Sequence, residues 1–181
     1  VLWYQGETDA EKVETAAVYG DRFESLVRAI RSGLAQPDVP FYYAQLSRYV
    51  IDKGYEGWDA VREAQRLAEH RIQPGGMIAT NDLTLTDPIH LDRAALETVG
   101  RRFSARILDG PAPKLKSVRW DGASRLRLSF EPRLAPIAAS TRIHGFELNR
   151  PAVFDTRMDT ATGDILLSIG PGVAPNVQSL F

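Results

Sequence analysis

The hydrophobic pattern along this chain switches between a strand period and a helix period. Residues 1–4, V-L-W-Y, form a short apolar run that stops at Gln5, Gly6 and Glu7, as a buried strand does when it feeds a polar turn. Residues 19–33 carry Tyr19, Phe23, Leu26, Val27 and Ile30 on one helical face, with Asp21, Glu24, Arg28 and Arg31 turned away. Gly33 and Pro37 supply the stop. F-Y-Y-A-Q-L at 41–46 predicts a second strand. Residues 59–72 predict a second amphipathic helix through Val61, Ala64, Leu67, Ala68 and Ile72, with Asp59 as a candidate cap. G-M-I-A-T at 76–80 predicts a third strand, and Asp92 a cap for a last helix whose expected buried stripe is Leu96, Val99, Phe103 and Ile107. Alternating strands and helices of this length point to a parallel sheet covered by helices.

Beyond Asp109 only the strand period persists. Residues 110–113 read as a linker, and 116–120 as a strand that ends at the Asp121-Gly122 turn. R-L-R-L-S-F at 125–130 alternates, so that Leu126, Leu128 and Phe130 share a core face. Further strands are expected at 142–148, 153–158 and 165–169, with Thr162-Gly163-Asp164 as a turn. The chain therefore divides into an α/β portion, 1–109, and a small β-rich appendage, 110–181.

Composition narrows the classes of function. With 181 residues, 44% of them apolar, the chain is long enough for one sizeable core and a small satellite. A net charge of -1 from interspersed acids and bases gives no electrostatic footprint for nucleic acid. Nothing approaches the roughly 20 consecutive apolar residues of a membrane span. The absence of cysteine excludes disulfides and thiolate chemistry and leaves the compartment open, a secreted or periplasmic location included. His70, His90 and His144 are too dispersed for a zinc cluster, no acidic loop has calcium spacing, and no metal or other cofactor is expected.

Chemistry concentrates just before the last helix. Asp87 and His90 stand three residues apart, and a neutral imidazole accepts a proton from a hydroxyl only when its other nitrogen is held by a partner such as a carboxylate. Pro88 disfavours helical geometry at Asp87 and keeps the pair on a shaped loop. The plainer alternative is a polar turn with a surface histidine. Asp82 competes with Asp87 for the orienting role. At the end of the first strand Gln5 offers amide hydrogens suited to a developing oxyanion, and Gly6 lets the backbone approach a ligand closely. Glu7 either orients that loop or touches substrate.

Other residues carry weaker signals. Ser47 lacks both a glycine elbow and an adjacent base, which argues against a nucleophile. Trp58 follows a polar loop with Lys53, Gly54, Tyr55 and Gly57, and is either a sugar-stacking ring or a packing anchor. Arg62 and Gln65, three apart on the second helix, are placed to reach a loop at the sheet edge. His70 and His144 fit solvated and partly buried structural roles respectively.

W-Y-Q-G-E at 3–7, V-R-E-A-Q at 61–65 and D-P-I-H at 87–90 before V-G-R-R-F, in this order, resemble the sialate O-acetylesterase group of the SGNH hydrolase superfamily and related acetylxylan esterases. The resemblance spans residues 1–108 and, more weakly, 145–172. It implies an SGNH-like, flavodoxin-like fold whose catalytic serine lies in a glycine-serine block upstream of residue 3, so the N-terminal part of the domain is expected on a missing segment or companion chain. It further implies His90 and Asp87 as triad members, Gln5 and Gly6 in the oxyanion region, R-E-x-Q with Arg62 and Gln65 close to the active site, a β-rich appendage after the histidine, and an O-acetylated carbohydrate as substrate, sialic acid or a polysaccharide. Leu91 departs from the family pattern, which has proline after the histidine. The opposing expectation is a noncatalytic carbohydrate-binding or structural protein, with Tyr55, Trp58 and Trp120 as stacking rings. Lipid or thioester cleavage on the same scaffold is a third, against which the tyrosine-bearing loop at 48–58 argues.

Overall fold

A computed structural model of the chain describes residues 1–50, 54–137, 143 and 154–170. It divides into two units, Val1–Pro111 and Ala112–Phe181. The expected strand at 142–148, Ile143 apart, lies outside the described residues, and His144 with it.

In the first unit three parallel strands, β1 (Leu2–Trp3), β2 (Phe41–Ala44) and β3 (Gly75–Ile78), pair in the order β1-β2-β3. Four helices flank them: α1 (Val13–Ala17), α2 (Tyr19–Gly33), α3 (Trp58–Ala68) and α4 (Arg93–Leu108). The strand alternation of β2 divides the core. Phe41 and Tyr43 face a cluster with Tyr19, Phe23 and Val27 of α2 and Trp58, Val61 and Ala68 of α3. Ala44, with Tyr42 packed alongside, faces a second cluster with Ile78 and Ala95, Val99 and Phe103 of α4. Helices thus cover both faces, as the strand-helix alternation predicts.

Two predicted helix faces are rotated. On α4 the buried residues are Ala95, Val99, Phe103 and Arg106, while Leu96 and Ile107 are about half exposed. Arg106 takes the place expected of an aliphatic side chain, because its guanidinium lies flat over Gly76 and meets Glu69 at 3.4 Å. Only a residue without a Cβ leaves room at position 76. On α3, Leu67 is exposed and Gln65 is buried instead. Asp59 does not cap α3; it stands in the first turn and faces Arg62 at 3.6 Å. Asp92 does cap α4, its Oδ1 accepting from the Ala95 amide at 2.8 Å. The five-residue helix α1 has no counterpart in the sequence pattern, being too short to show a period.

The second unit holds an antiparallel sheet of β4 (Lys114–Trp120), β5 (Arg125–Glu131), β6 (Phe154–Asp159) and β7 (Asp164–Ile169) in the order β4-β5-β7-β6. Leu126, Leu128, Ile165, Leu167 and Ile169 form its core, with Phe130 packed against it. Arg127, on the opposite face of β5, gathers Asp121, Asp159 and Asp164 at 2.9, 2.7 and 3.1 Å.

Candidate active site

The loops after β1, β2 and β3 emerge together at the carboxyl edge of the parallel sheet, where open α/β sheets bind ligands. Gln65 ties the first two loops together. From its buried place on α3, its Oε1 accepts from the Leu46 amide at 2.8 Å, and its Nε2 donates to the Gln5 carbonyl and the Tyr19 hydroxyl, each at 3.1 Å. The Tyr19 hydroxyl donates to the same Gln5 carbonyl at 3.1 Å, and Tyr43 donates to the Gln65 carbonyl at 2.7 Å. Every polar atom in this knot has a partner, which makes the knot rigid. Burial, opposed by the Gln65 hydrogen bond, pushes the Tyr19 hydroxyl up to about 12.

Arg62 ties the second loop to the third. Its Nε donates to the Leu46 carbonyl at 3.2 Å and its Nη2 to Asn81 Oδ1 at 3.2 Å, while Gln45 donates to the Arg62 carbonyl at 3.0 Å. Ser47, fully buried, donates to the Thr80 carbonyl at 3.0 Å and has no access to a substrate. Arg62 and Gln65 therefore act as loop supports.

Trp58 is a packing anchor. It is 3% exposed, its Nε1 donates to the Ser47 carbonyl at 2.7 Å, and it has no free face for a sugar. Tyr49 stacks on it at 5.3 Å and Tyr55 meets it edge-on at 5.5 Å, the two tyrosines lying 5.2 Å apart. Residues 51–53 of this loop, Lys53 among them, are outside the described set. Burial first, and then neighbouring negative groups with Glu11 foremost, push the Tyr55 hydroxyl upward.

Gly6 has a φ of +147°, and a Cβ there would come within 3.0 Å of Val61 Cγ1, so the turn requires glycine. The Gly6 carbonyl accepts from the Ala10 amide at 3.0 Å and starts the turn that carries Asp9. Asp9 Oδ2 accepts from Gln5 Nε2 at 2.8 Å, which holds the Gln5 amide and leaves its second hydrogen for another acceptor. Glu7 is half-buried, and its charge reaches Tyr4, Tyr19 and Tyr55.

Asp87 and His90 form a pair at the tip of a small hairpin. A bridge between Leu85 and Leu91, with Thr86 donating to the His90 carbonyl at 2.9 Å and Asp92 to the Thr84 carbonyl at 3.1 Å, closes the turn. Asp87 Oδ1 accepts from the amides of Ile89 and His90 at 2.9 and 2.8 Å, and Oδ2 meets His90 Nδ1 at 2.7 Å. Those amide bonds, and then the imidazole, lower the Asp87 carboxyl to about 2. A carboxylate at Nδ1 fixes the proton of a neutral ring there and leaves Nε2 as the acceptor. The residues on either side of His90 pin the turn: Ile89 packs against the α2/α3 cluster and Leu91 is buried in the α4 cluster. His90 itself is 60% exposed. Asp82 is engaged elsewhere, by a two-pronged pair with Arg102 at 2.7 and 2.5 Å.

The geometry thus places Asp87 with His90, Gln5 with Gln65, and Trp58 under Tyr49 and Tyr55. Asp9, Tyr19, Tyr43 and Asn81 complete the supports, and the sequence pattern gave no pointer to them beyond the four-residue spacing of Gln5 and Asp9.

Known proteins resemble this chain in sequence and fold. The family described as carbohydrate esterases, sialic acid-specific acetylesterases, matches residues 1–109. The chain belongs to that family. A probable carbohydrate esterase of Arabidopsis thaliana is 37% identical over 65 residues, which cover 36% of this chain and 23% of the relative. The crystal structure of a carbohydrate acetylesterase from Xanthomonas citri superposes with a TM-score of 0.69 at 25% identity, covering 96% of this chain and 42% of that one. An Arabidopsis thaliana crystal structure gives 0.52 at 29% identity over 60% of this chain and 43% of that one. The chain spans less than half the length of each of these relatives.

Proposed function

We propose that this chain is the His-Asp half of a serine-dependent carbohydrate O-acetylesterase. The observation that carries the reading is the 2.7 Å contact between Asp87 Oδ2 and His90 Nδ1 on an anchored turn at the carboxyl edge of the sheet, with His90 largely exposed. Family membership supports it. A serine hydroxyl on a segment preceding Val1, or on a companion chain, attacks the acetyl carbonyl while His90 Nε2 takes its proton. Asp87 steadies the imidazolium that forms. The second hydrogen on Gln5 Nε2 and the Gly6 amide stabilise the tetrahedral oxyanion. His90 then protonates the departing sugar oxygen, and afterwards draws a proton from the water that releases acetate. This chemistry needs no cofactor. An O-acetylated sugar, either sialic acid or a polysaccharide unit, is the substrate class.

The test is covalent labelling of the full-length protein with a fluorophosphonate, followed by peptide mapping. A single labelled serine upstream of Val1, with labelling lost in His90→Ala, supports the reading. No labelled serine, or labelling indifferent to His90, turns the protein into a carbohydrate-binding relic of the fold.

A further inference from the structure

We infer that Asp9 is the positioning residue of the oxyanion contact: it decides which end of the Gln5 side-chain amide faces the reacting carbonyl. This deepens the esterase reading and rests on it. The two ends of a glutamine amide are nearly equal in size and opposite in sense, since the nitrogen donates and the oxygen accepts. Turned one way, Gln5 stabilises a developing oxyanion; turned the other way, it repels one. An ionised carboxylate accepts and has nothing to donate, so the 2.8 Å contact with Asp9 Oδ2 admits only Nε2 on that side of Gln5. One amide hydrogen is taken by Asp9, and the other is left for the substrate oxygen.

Asp9 is itself held, by elements that also hold the Gln5 backbone. It stands in the single 3-10 turn Asp9–Glu11. Ala10, next to it, is fully buried, its amide donating to the Gly6 carbonyl and its carbonyl accepting from the Gly57 amide, each at 3.0 Å. The Thr15 hydroxyl donates to the Asp9 carbonyl at 2.7 Å. The other carboxylate oxygen, Oδ1, faces Arg22 at 3.9 Å, and Arg22 lies one turn beyond Tyr19 on α2. Tyr19 in turn donates to the Gln5 carbonyl at 3.1 Å. The start of α2 thus reaches both ends of Gln5, the main chain directly and the side chain through Asp9. A fixed main chain alone would leave the amide free to turn about its side-chain bonds, and a preorganised oxyanion donor has no such freedom.

This role leaves a kinetic signature that a merely structural residue lacks. The contact between Gln5 and the oxyanion forms in the transition state, so its loss falls on kcat and not on KM. Asp9 acts through Gln5, so its effect on turnover disappears once Gln5 is removed. A residue that only held the turn together would cost the same with Gln5 or without it.

The experiment is steady-state hydrolysis of an aryl acetate by the full-length protein and by its Asp9→Ala, Gln5→Ala and doubly substituted variants, each confirmed folded by circular dichroism. Gln5→Ala is expected to lower kcat by about 10²-fold and Asp9→Ala by about tenfold or more, both with KM within about threefold of the unsubstituted protein. The double variant is expected to lie within about twofold of Gln5→Ala alone. Asp9→Asn keeps the shape but admits either end of the Gln5 amide, so its kcat falls between those of Asp9→Ala and the unsubstituted protein, and it carries the comparison if Asp9→Ala does not fold. An unchanged kcat in the Asp9 variants, or an equal loss with and without Gln5, overturns the inference. Nitrogen-15 relaxation of the Gln5 side-chain amide is measured beside it, with a rigid group expected in the unsubstituted protein and a mobile one in Asp9→Ala; the same mobility in both also overturns the inference. Absence of aryl acetate hydrolysis by the unsubstituted protein contradicts the esterase reading, while the relaxation measurement still decides whether Asp9 fixes the amide.

Discussion

Asp87 grips His90 twice, accepting its backbone amide at 2.8 Å with one carboxylate oxygen and its Nδ1 at 2.7 Å with the other. The same side chain therefore shapes the turn and orients the imidazole within it. Asp87→Asn separates the two roles. The amide oxygen of asparagine keeps the turn, but its amide nitrogen beside Nδ1 favours the tautomer whose Nε2 carries the proton. The account predicts a fall in kcat of roughly 10²–10⁴-fold with the fold retained, checked by steady-state kinetics and circular dichroism.

The pH dependence follows from the direction of the Asp87 shift. Its folded value, about 2, lies below the ordinary aspartate value of 3.8, so it contributes stability above the unfolded value that is lost as pH falls toward about 2. Wild type is therefore expected to unfold at a higher temperature than Asp87→Asn at neutral pH, with the difference closing between about pH 4 and about pH 2. Melting curves across that window check it. Loss of activity above pH 4 belongs to another group.

Gln65→Ala breaks the knot between the first two loops. It leaves the Leu46 amide without its acceptor and withdraws a donor from Gln5 and Tyr19, in a place that is 1% exposed. Urea denaturation should show a loss of about 2–4 kcal/mol. Gln65→Leu should not recover it, because the orphaned amide matters more than the lost volume.

Gly6→Ala is costly for a different reason. The added methyl meets Val61 Cγ1 at 3.0 Å, on a backbone with φ of +147°. A destabilisation of about 1–3 kcal/mol is expected by the same assay, together with reduced turnover because the Gly6 amide moves.

Arg127 organises the second unit through charge. Hydrogen bonds from Arg127, against the opposing effect of burial, bring Asp159 to about 2, which places this contribution above the ordinary carboxylate range and removes it toward about pH 2. Arg127→Met leaves Asp121, Asp159 and Asp164 facing one another. Its melting temperature should drop at pH 7 and approach that of wild type near pH 2.

Much of the first unit was legible because long helices and short apolar strands impose their periods directly. The apolar spacing over residues 19–33 predicts the helix that forms there, with Tyr19, Phe23 and Val27 inward. The failures occur where a polar side chain takes a buried slot. Arg106 and Gln65 are inside because each finds partners there, and a hydrophobic count has no means of foreseeing partners supplied from residues 37 and 60 positions away. Trp58 carries both an apolar ring and an N–H, so its sequence position fits a ligand platform and a packing anchor equally; the Ser47 carbonyl decides. The Asp87–His90 pair was legible because both residues lie in one turn.

The most direct test of the central claim is hydrolysis of a small aryl acetate by the full-length protein with and without His90→Ala, both confirmed folded. The account predicts a loss of kcat/KM of about 10³-fold or more. Turnover by His90→Ala within about twofold of wild type would contradict it, because no general base with that little effect is doing the chemistry assigned to His90.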